Sequence, residues 1–137
     1  MLCLGCQFSG VFPEGKSLRL APMRMLIVED DVPLREAIAA SAANWTIVRH
    51  EGPRAEPTRF HEIVQAGSVD EGKRRLGANV DVMLVDVKLG NESGLTLVEH
   101  ALKVERVPLL LAMSGQATAT EAFQLAALGV IQKRAPH

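Results

Sequence analysis

Glu29 and Asp30 stand directly after the apolar run Met25-Leu26-Ile27-Val28, Asp86 directly after Val82-Met83-Leu84-Val85, and Ser114, followed by Gly115, directly after the run Leu109 to Met113. Short apolar runs separated by helical patterns read as buried parallel strands. Ligand sites in an open parallel sheet lie beyond the carboxyl ends of its strands, so the three carboxylates and the hydroxyl are expected to share one shallow pocket. Like charges held that closely repel and raise one another's pKa values unless a cation joins them. Magnesium suits the arrangement, because it prefers oxygen ligands and is commonly held by one or two carboxylates together with phosphate oxygens. A carboxylate beside such a cation can attack phosphorus and form an acyl phosphate while the metal offsets charge on the transferring oxygens. A single acidic residue after a strand is more simply a helix cap, and Asp30 or Asp31 can cap a helix beginning near Pro33. Acidic residues ending two strands, with a hydroxyl ending a third, favour the joint site.

The elements that must position these residues alternate along the chain. After Met25–Val28, the residues Leu34, Ala37, Ile38 and Ser41 fall on one helical face. Phe60 to Val64 is a weaker second strand, and Ser68-Val69-Asp70-Glu71 matches a capping box that opens a helix reaching about Leu76. Val82–Val85 is the third strand; a polar loop follows, and Leu95, Val98, Ala101 and Leu102 then repeat at helical spacing. Leu109–Met113 is the fourth strand, Thr118 to Leu128 a helix stopped by Gly129, and Val130-Ile131 the start of a fifth strand. The expected architecture is α/β, a doubly wound parallel sheet. Residues 44–59, with Gly52, Pro53 and Pro57 among charged side chains, read as a long loop anchored at its base by Trp45.

The ordered set Met25-Leu-Ile-Val-Glu-Asp-Asp31, Leu84-Val-Asp-Val-Lys-Leu-Gly-Asn-Glu-Ser-Gly-Leu95 and Leu109-Leu-Leu-Ala-Met-Ser-Gly115 resembles the receiver domains of two-component response regulators, the CheY-like family, over about residues 24–136. The resemblance implies a flavodoxin-like sheet with strand order 2-1-3-4-5, numbered as strands are met along the chain. It implies that Asp86 is the phosphoacceptor, that Glu29 and Asp30 are the acidic pair binding Mg2+, that the backbone carbonyl of Lys88 is a further ligand, and that Ser114 is the switch hydroxyl. Gly94 stands at the glycine the family places eight residues after the phosphoacceptor. The implied partners are a histidine kinase or phosphotransfer protein and a downstream protein, in the cytoplasm.

The sequence also departs from that pattern. Gly90 occupies the place where the family commonly has proline. Counted without gaps from Ser114, the family's phosphate-pairing lysine falls on Pro136, and Lys133 stands three residues early. Lys133 is the candidate for that role, although Lys133-Arg134-Ala135-Pro136 also suits an unstructured end. The family's aromatic switch residue on strand five has no counterpart. The fifth strand is expected to be short and the final helix missing from a receiver spanning 24–137, which would expose apolar sheet surface able to take a partner or a second copy as a homodimer.

Composition narrows the alternatives. The 137 residues are 47% hydrophobic and 23% charged, with a formal net charge of −1, so one globular domain is expected and direct attraction to nucleic acid or an anionic membrane is not. No apolar run approaches the roughly 18–20 residues of a membrane span. Residues 1–23 carry scattered Gly and Pro without periodicity and read as a disordered extension. Cys3-Leu4-Gly5-Cys6 is a C-x-x-C that could suggest redox chemistry or half a zinc site, but it opens no visible βαβ unit and no second ligand pair follows it, so it reads as part of the tail. Two readings beside the phosphorylated receiver are a degenerate receiver that acts as a phosphorylation-independent interaction module and an aspartate-nucleophile phosphatase. The second needs an acid-base aspartate two residues after the nucleophile, where Lys88 stands. The chain is therefore expected not to be an enzyme.

Overall fold

The computed structural model of the chain describes residues 23–51, 54–77, 79–114 and 131–134. Its elements in chain order are β1 (Met23–Val28), α1 (Val32–Ala42), β2 (Thr46–Glu51), β3 (Arg54–Ala66), α2 (Val69–Leu76), β4 (Val82–Asp86), β5 (Lys88–Leu89), β6 (Glu92–Ser93), α3 (Gly94–Ala101), β7 (Leu109–Ser114) and β8 (Ile131–Arg134). Six strands form one sheet in the order β2-β3-β1-β4-β7-β8, and β5-β6 is a separate small hairpin. From β3 to β8 the pairings are all parallel. That run of five strands is the expected doubly wound order, with β8 the short fifth strand.

The central strands β1, β4 and β7 are covered on both faces, which is why they read as unbroken apolar runs rather than alternating ones. On one face Leu26, Val28, Met83, Val85, Leu110 and Ala112 pack with Val69 and Leu76 of α2 and with Leu97, Val98 and Ala101 of α3. On the other, Met25, Ile27, Val82, Leu84 and Leu111 pack with Ala42, Trp45 and Phe60, joined by Ile38 and Ala39 of α1. Adjacent residues of one strand thus feed opposite cores.

Two expectations are corrected here. The segment 44–59 is not a loop. Thr46–Glu51 pairs antiparallel with Arg54–Arg59, so the second parallel strand begins at Arg54 and carries a two-stranded arm beside the sheet. Pro57 misled the reading. It lies where β3 is still paired with β2 alone, since β1 joins only from Phe60 onward, and a missing N–H is tolerated on a strand with one free edge. Trp45 does anchor the arm's base, buried in the α1 face of the core.

The inward face of α1 is also displaced by one residue. Leu34 is 45% exposed, and Ala37 and Ser41 are exposed as well. The residues that turn inward are Arg35, Ile38, Ala39 and Ala42. The rotation follows from Arg35, whose guanidinium is engaged by acceptors at the ends of β1 and β3. The other helices start as their sequences imply. Ser68 Oγ accepts from the Glu71 amide at 3.1 Å, and the Glu71 carboxylate accepts from the amide of Gly67 at 2.9 Å, one residue earlier than a reciprocal capping box has it. The expected helix at 118–128 and the residues 1–22 and 135–137 lie outside the described residues. Among the described residues no helix is long and apolar enough to cross a membrane.

Candidate functional site

β1 and β4 are adjacent and parallel, with Val28 opposite Val85. Their carboxyl ends therefore deliver the residues that follow to the same rim. Glu29, Asp30 and Asp86 each offer a carboxylate oxygen there, and these oxygens lie within 4.8 Å of one another. Asp31 takes the competing role at the start of α1: its Oδ1 accepts from the Leu34 amide at 3.4 Å, which leaves Asp30 to the cluster.

Glu29 is the buried member, only 2% exposed. Its Oε1 accepts from the Asp31 amide at 3.1 Å, whereas Oε2 is buried without a hydrogen-bond partner among the described residues. Burial, with Asp86 and Asp30 close by, raises its pKa from 4.5 to about 8, and the Asp31 amide offsets part of that rise. Such an oxygen can be satisfied in two ways, by a proton shared with a neighbouring carboxylate or by a cation. The donor set is all oxygen, partly exposed and acidic, and so fits a hard divalent ion better than zinc or copper.

Asp86 is half-buried and held from below and from beside. The Lys88 amide donates to its Oδ1 at 3.0 Å. Val87 N–H reaches Met113 O at 3.0 Å, and Gly94 N–H reaches Val87 O at 2.7 Å, so the chain after Asp86 is tied to β7 and to the first turn of α3. The polar loop expected after Asp86 is a tight hairpin, β5-β6, turning at Gly90 and Asn91. Gly90 has φ +59°, a value closed to proline, and its Cα faces Asp30, with Oδ2 3.7 Å from where a Cβ would stand. Gly90 is thus the residue this turn requires, and the turn lies against Asp30.

Ser114 closes β7, one residue past Met113, the register partner of Asp86. Lys133 lies within β8, paired with that same Met113. Gly115 and Gln116 fall outside the described residues. Missed by sequence reasoning were the Asp31 amide as a donor to Glu29 and Arg35 as a donor to the Glu29 carbonyl, at 3.0 Å. The signal for Arg35 was present: a long cation at the place in α1 where an apolar residue would continue the inward stripe.

No family model matches the chain. It is 28% identical over 136 residues to the regulatory protein VirG of Agrobacterium tumefaciens (strain 15955), an alignment covering 92% of this chain and 45% of that protein. Among solved structures it is similar to a CheY-like response regulator receiver domain protein from Methanospirillum hungatei JF-1, with TM-score 0.66 and 21% identity over 85% of this chain and 84% of the other. It is similar also to the non-phosphorylated HemR receiver domain from Leptospira biflexa, with TM-score 0.62 and 23% identity over 83% and 81% of the two chains. The fold is that of response-regulator receiver domains. In the receiver fold of this chain, the acidic cluster occupies the rim where β1 and β4 end, and the β5-β6 hairpin overhangs it. The chain spans less than half the length of VirG.

Proposed function

We propose that this chain is a phosphoacceptor receiver of a two-component system, in which Asp86 takes a phosphoryl group from a histidine kinase or phosphotransfer protein in the cytoplasm. The observation that carries the reading is the convergence of Glu29, Asp30 and Asp86 at one rim, with a buried Glu29 oxygen left unpartnered. Glu29, Asp30, Asp86 and the Lys88 carbonyl would hold Mg2+. The cation, when bound, supplies charge stabilisation to the oxygens of the transferring phosphoryl group.

The chain's own residues have separate tasks in this reading. A carboxylate oxygen of Asp86 attacks phosphorus, the bond from phosphorus to the donor's imidazole nitrogen breaks, and the nitrogen leaves with the bonding pair. The Lys88 amide holds the Asp86 carboxylate for in-line approach, and Gly94, packed against the Asp86 backbone carbonyl, fixes the chain beneath it. Ser114, at the end of β7, is the hydroxyl that senses the new group, and Lys133, in β8, the cation that pairs with it. Its placement within a strand rather than a trailing end supports that assignment. The altered rim then signals to a downstream protein by contact.

Intact-mass measurement after incubation with acetyl phosphate and Mg2+ tests the reading. Wild type is expected to gain one phosphoryl group, and Asp86→Asn none. Equal labelling of the two would remove Asp86 from its role, and no labelling of either would favour the phosphorylation-independent receiver.

A further inference from the structure

Glu29 is the point at which the chain leaves the sheet, since the pairing of β1 with β3 and β4 ends at Val28. Among the described residues two hydrogen bonds tie its backbone: its amide donates to Ala66 O at 3.0 Å, and its carbonyl accepts from Arg35 Nη1 at 3.0 Å. Arg35 Nε donates at the same time to Gln65 Oε1 at 3.1 Å. Among the described residues the guanidinium pairs with no carboxylate, so its planar fork serves two neutral acceptors, one just past β1 and one in β3. It does so from the inward face of α1, where a long cation costs side-chain entropy and partial desolvation. Meanwhile the Glu29 side chain stands against Asp30 and Asp86, and in its ionised, metal-binding form it is pushed away from them by like charge.

We infer that Arg35 is a positioning residue for the cation site: by clamping the Glu29 carbonyl to the end of β3 through Gln65, it holds the Glu29 carboxylate at the rim with Asp30 and Asp86. The inference rests on the Mg2+ reading above. Gly67 belongs to the same device. A Cβ added there would stand 2.8 Å from Arg35 Nη1. That nitrogen is the free end of a flexible side chain, so Gly67→Ala displaces the guanidinium at little cost to folding and leaves Arg35 chemically intact. The next atom an alanine Cβ would meet is Glu71 Oε2, at ordinary contact distance of 3.7 Å, so the substitution disturbs the clamp while leaving Glu29, Asp30 and Asp86 in place.

The test is calorimetric titration of the full chain with MgCl2 alone, paired with thermal melts without the metal. Arg35→Gln and Gly67→Ala are expected to weaken binding about tenfold or more, the scale on which loss of a group that orients a metal ligand is felt. Arg35→Lys should recover part of the loss, since an ammonium can still reach one of the two acceptors. Arg24→Gln is the control: it removes the Arg24–Glu62 ion pair from the other end of β1 and should leave affinity unchanged whatever it does to the melt. Wild-type affinity in Arg35→Gln and Gly67→Ala would overturn the clamp alone. Affinity that merely follows the melting temperature across all variants, the control included, would reduce Arg35 to a structural role and overturn it too. Failure of wild type to bind Mg2+ would overturn the metal reading and the clamp with it. Should Arg35→Gln fail to fold, Gly67→Ala and Arg35→Lys decide.

Discussion

The carbonyl oxygen of Asp86 lies 2.0 Å from where a Cβ on Gly94 would stand, and its carbonyl carbon 2.9 Å away. Both obstructing atoms are backbone, so nothing flexible can yield. Gly94→Ala is therefore expected to force apart the start of α3 and the end of β4, at a cost of about 1–3 kcal/mol, the range seen when extra atoms enter a packed site. A urea unfolding curve should show a lower midpoint with an unchanged slope. Because the shift falls on Asp86 itself, phosphoryl uptake should decline by more than the loss of folded protein accounts for.

Asp86, Met113 and Lys133 occupy one register row across three neighbouring parallel strands. Two strand spacings of about 4.8 Å separate the rows' ends, a gap that a lysine and an aspartyl phosphate can bridge. Lys133→Ala is expected to slow uptake from acetyl phosphate roughly ten- to hundredfold, the rate equivalent of the ~1.5–3 kcal/mol supplied by a charged hydrogen bond. Mg2+ binding should stay as in wild type. A variant that labels at the wild-type rate would return Lys133 to the surface.

At the opposite end of the sheet Asp81 joins three segments. Its Oδ2 accepts from the Arg24 amide at 2.9 Å, its Oδ1 binds Arg106, and its own carbonyl accepts from Leu109 N–H at 2.9 Å. The side chain is 6% exposed, so its removal strands the Arg24 amide at the entry of β1. We expect Asp81→Ala to destabilise the chain by about 1–3 kcal/mol, the penalty of an unsatisfied partly buried donor. Affinity for Mg2+ among the surviving folded molecules should not change, because the cluster sits at the other rim.

How far the sequence discloses all this depends on what each signal encodes. Periodicity and strand-end chemistry together specify β1, β4 and β7, since a strand buried on both faces must be apolar throughout and ends at the rim where polar side chains begin. Glu29, Asp30 and Asp86 were legible for that reason. The β2 arm was not, because Pro57 and the Gly52-Pro53 pair are turn signals when read locally, and only the late entry of β1 makes Pro57 acceptable in a strand. The face of α1 was misread by one residue because Arg35 counts as polar in any pattern, while its donors are spent on acceptors that no pattern can foresee. Side chains that serve through a long-range hydrogen bond carry little local signature.

The raised pKa of Glu29 gives the site a dependence on pH with a definite sign. The unfolded chain loses this proton near the ordinary value of 4.5, whereas the folded, metal-free chain keeps it until about 8. Between those values the folded state binds more protons, so this group's contribution to stability is complete below about pH 4.5 and is lost as pH rises toward about 8. The difference in unfolding free energy between wild type and Glu29→Gln, measured in chelator, isolates that contribution from the histidines, and it should fall across the window and then level off. Mg2+ reverses the pressure, because binding favours the ionised carboxylate and releases its proton. Apparent Mg2+ affinity should accordingly climb with pH up to about 8, and titration near neutrality in buffers of different ionisation enthalpy should register proton release that Glu29→Gln lacks. A flat stability difference across the window, together with metal binding that releases no proton, would mean that Glu29 is already ionised in the metal-free protein, and that some other cation already satisfies its buried oxygen.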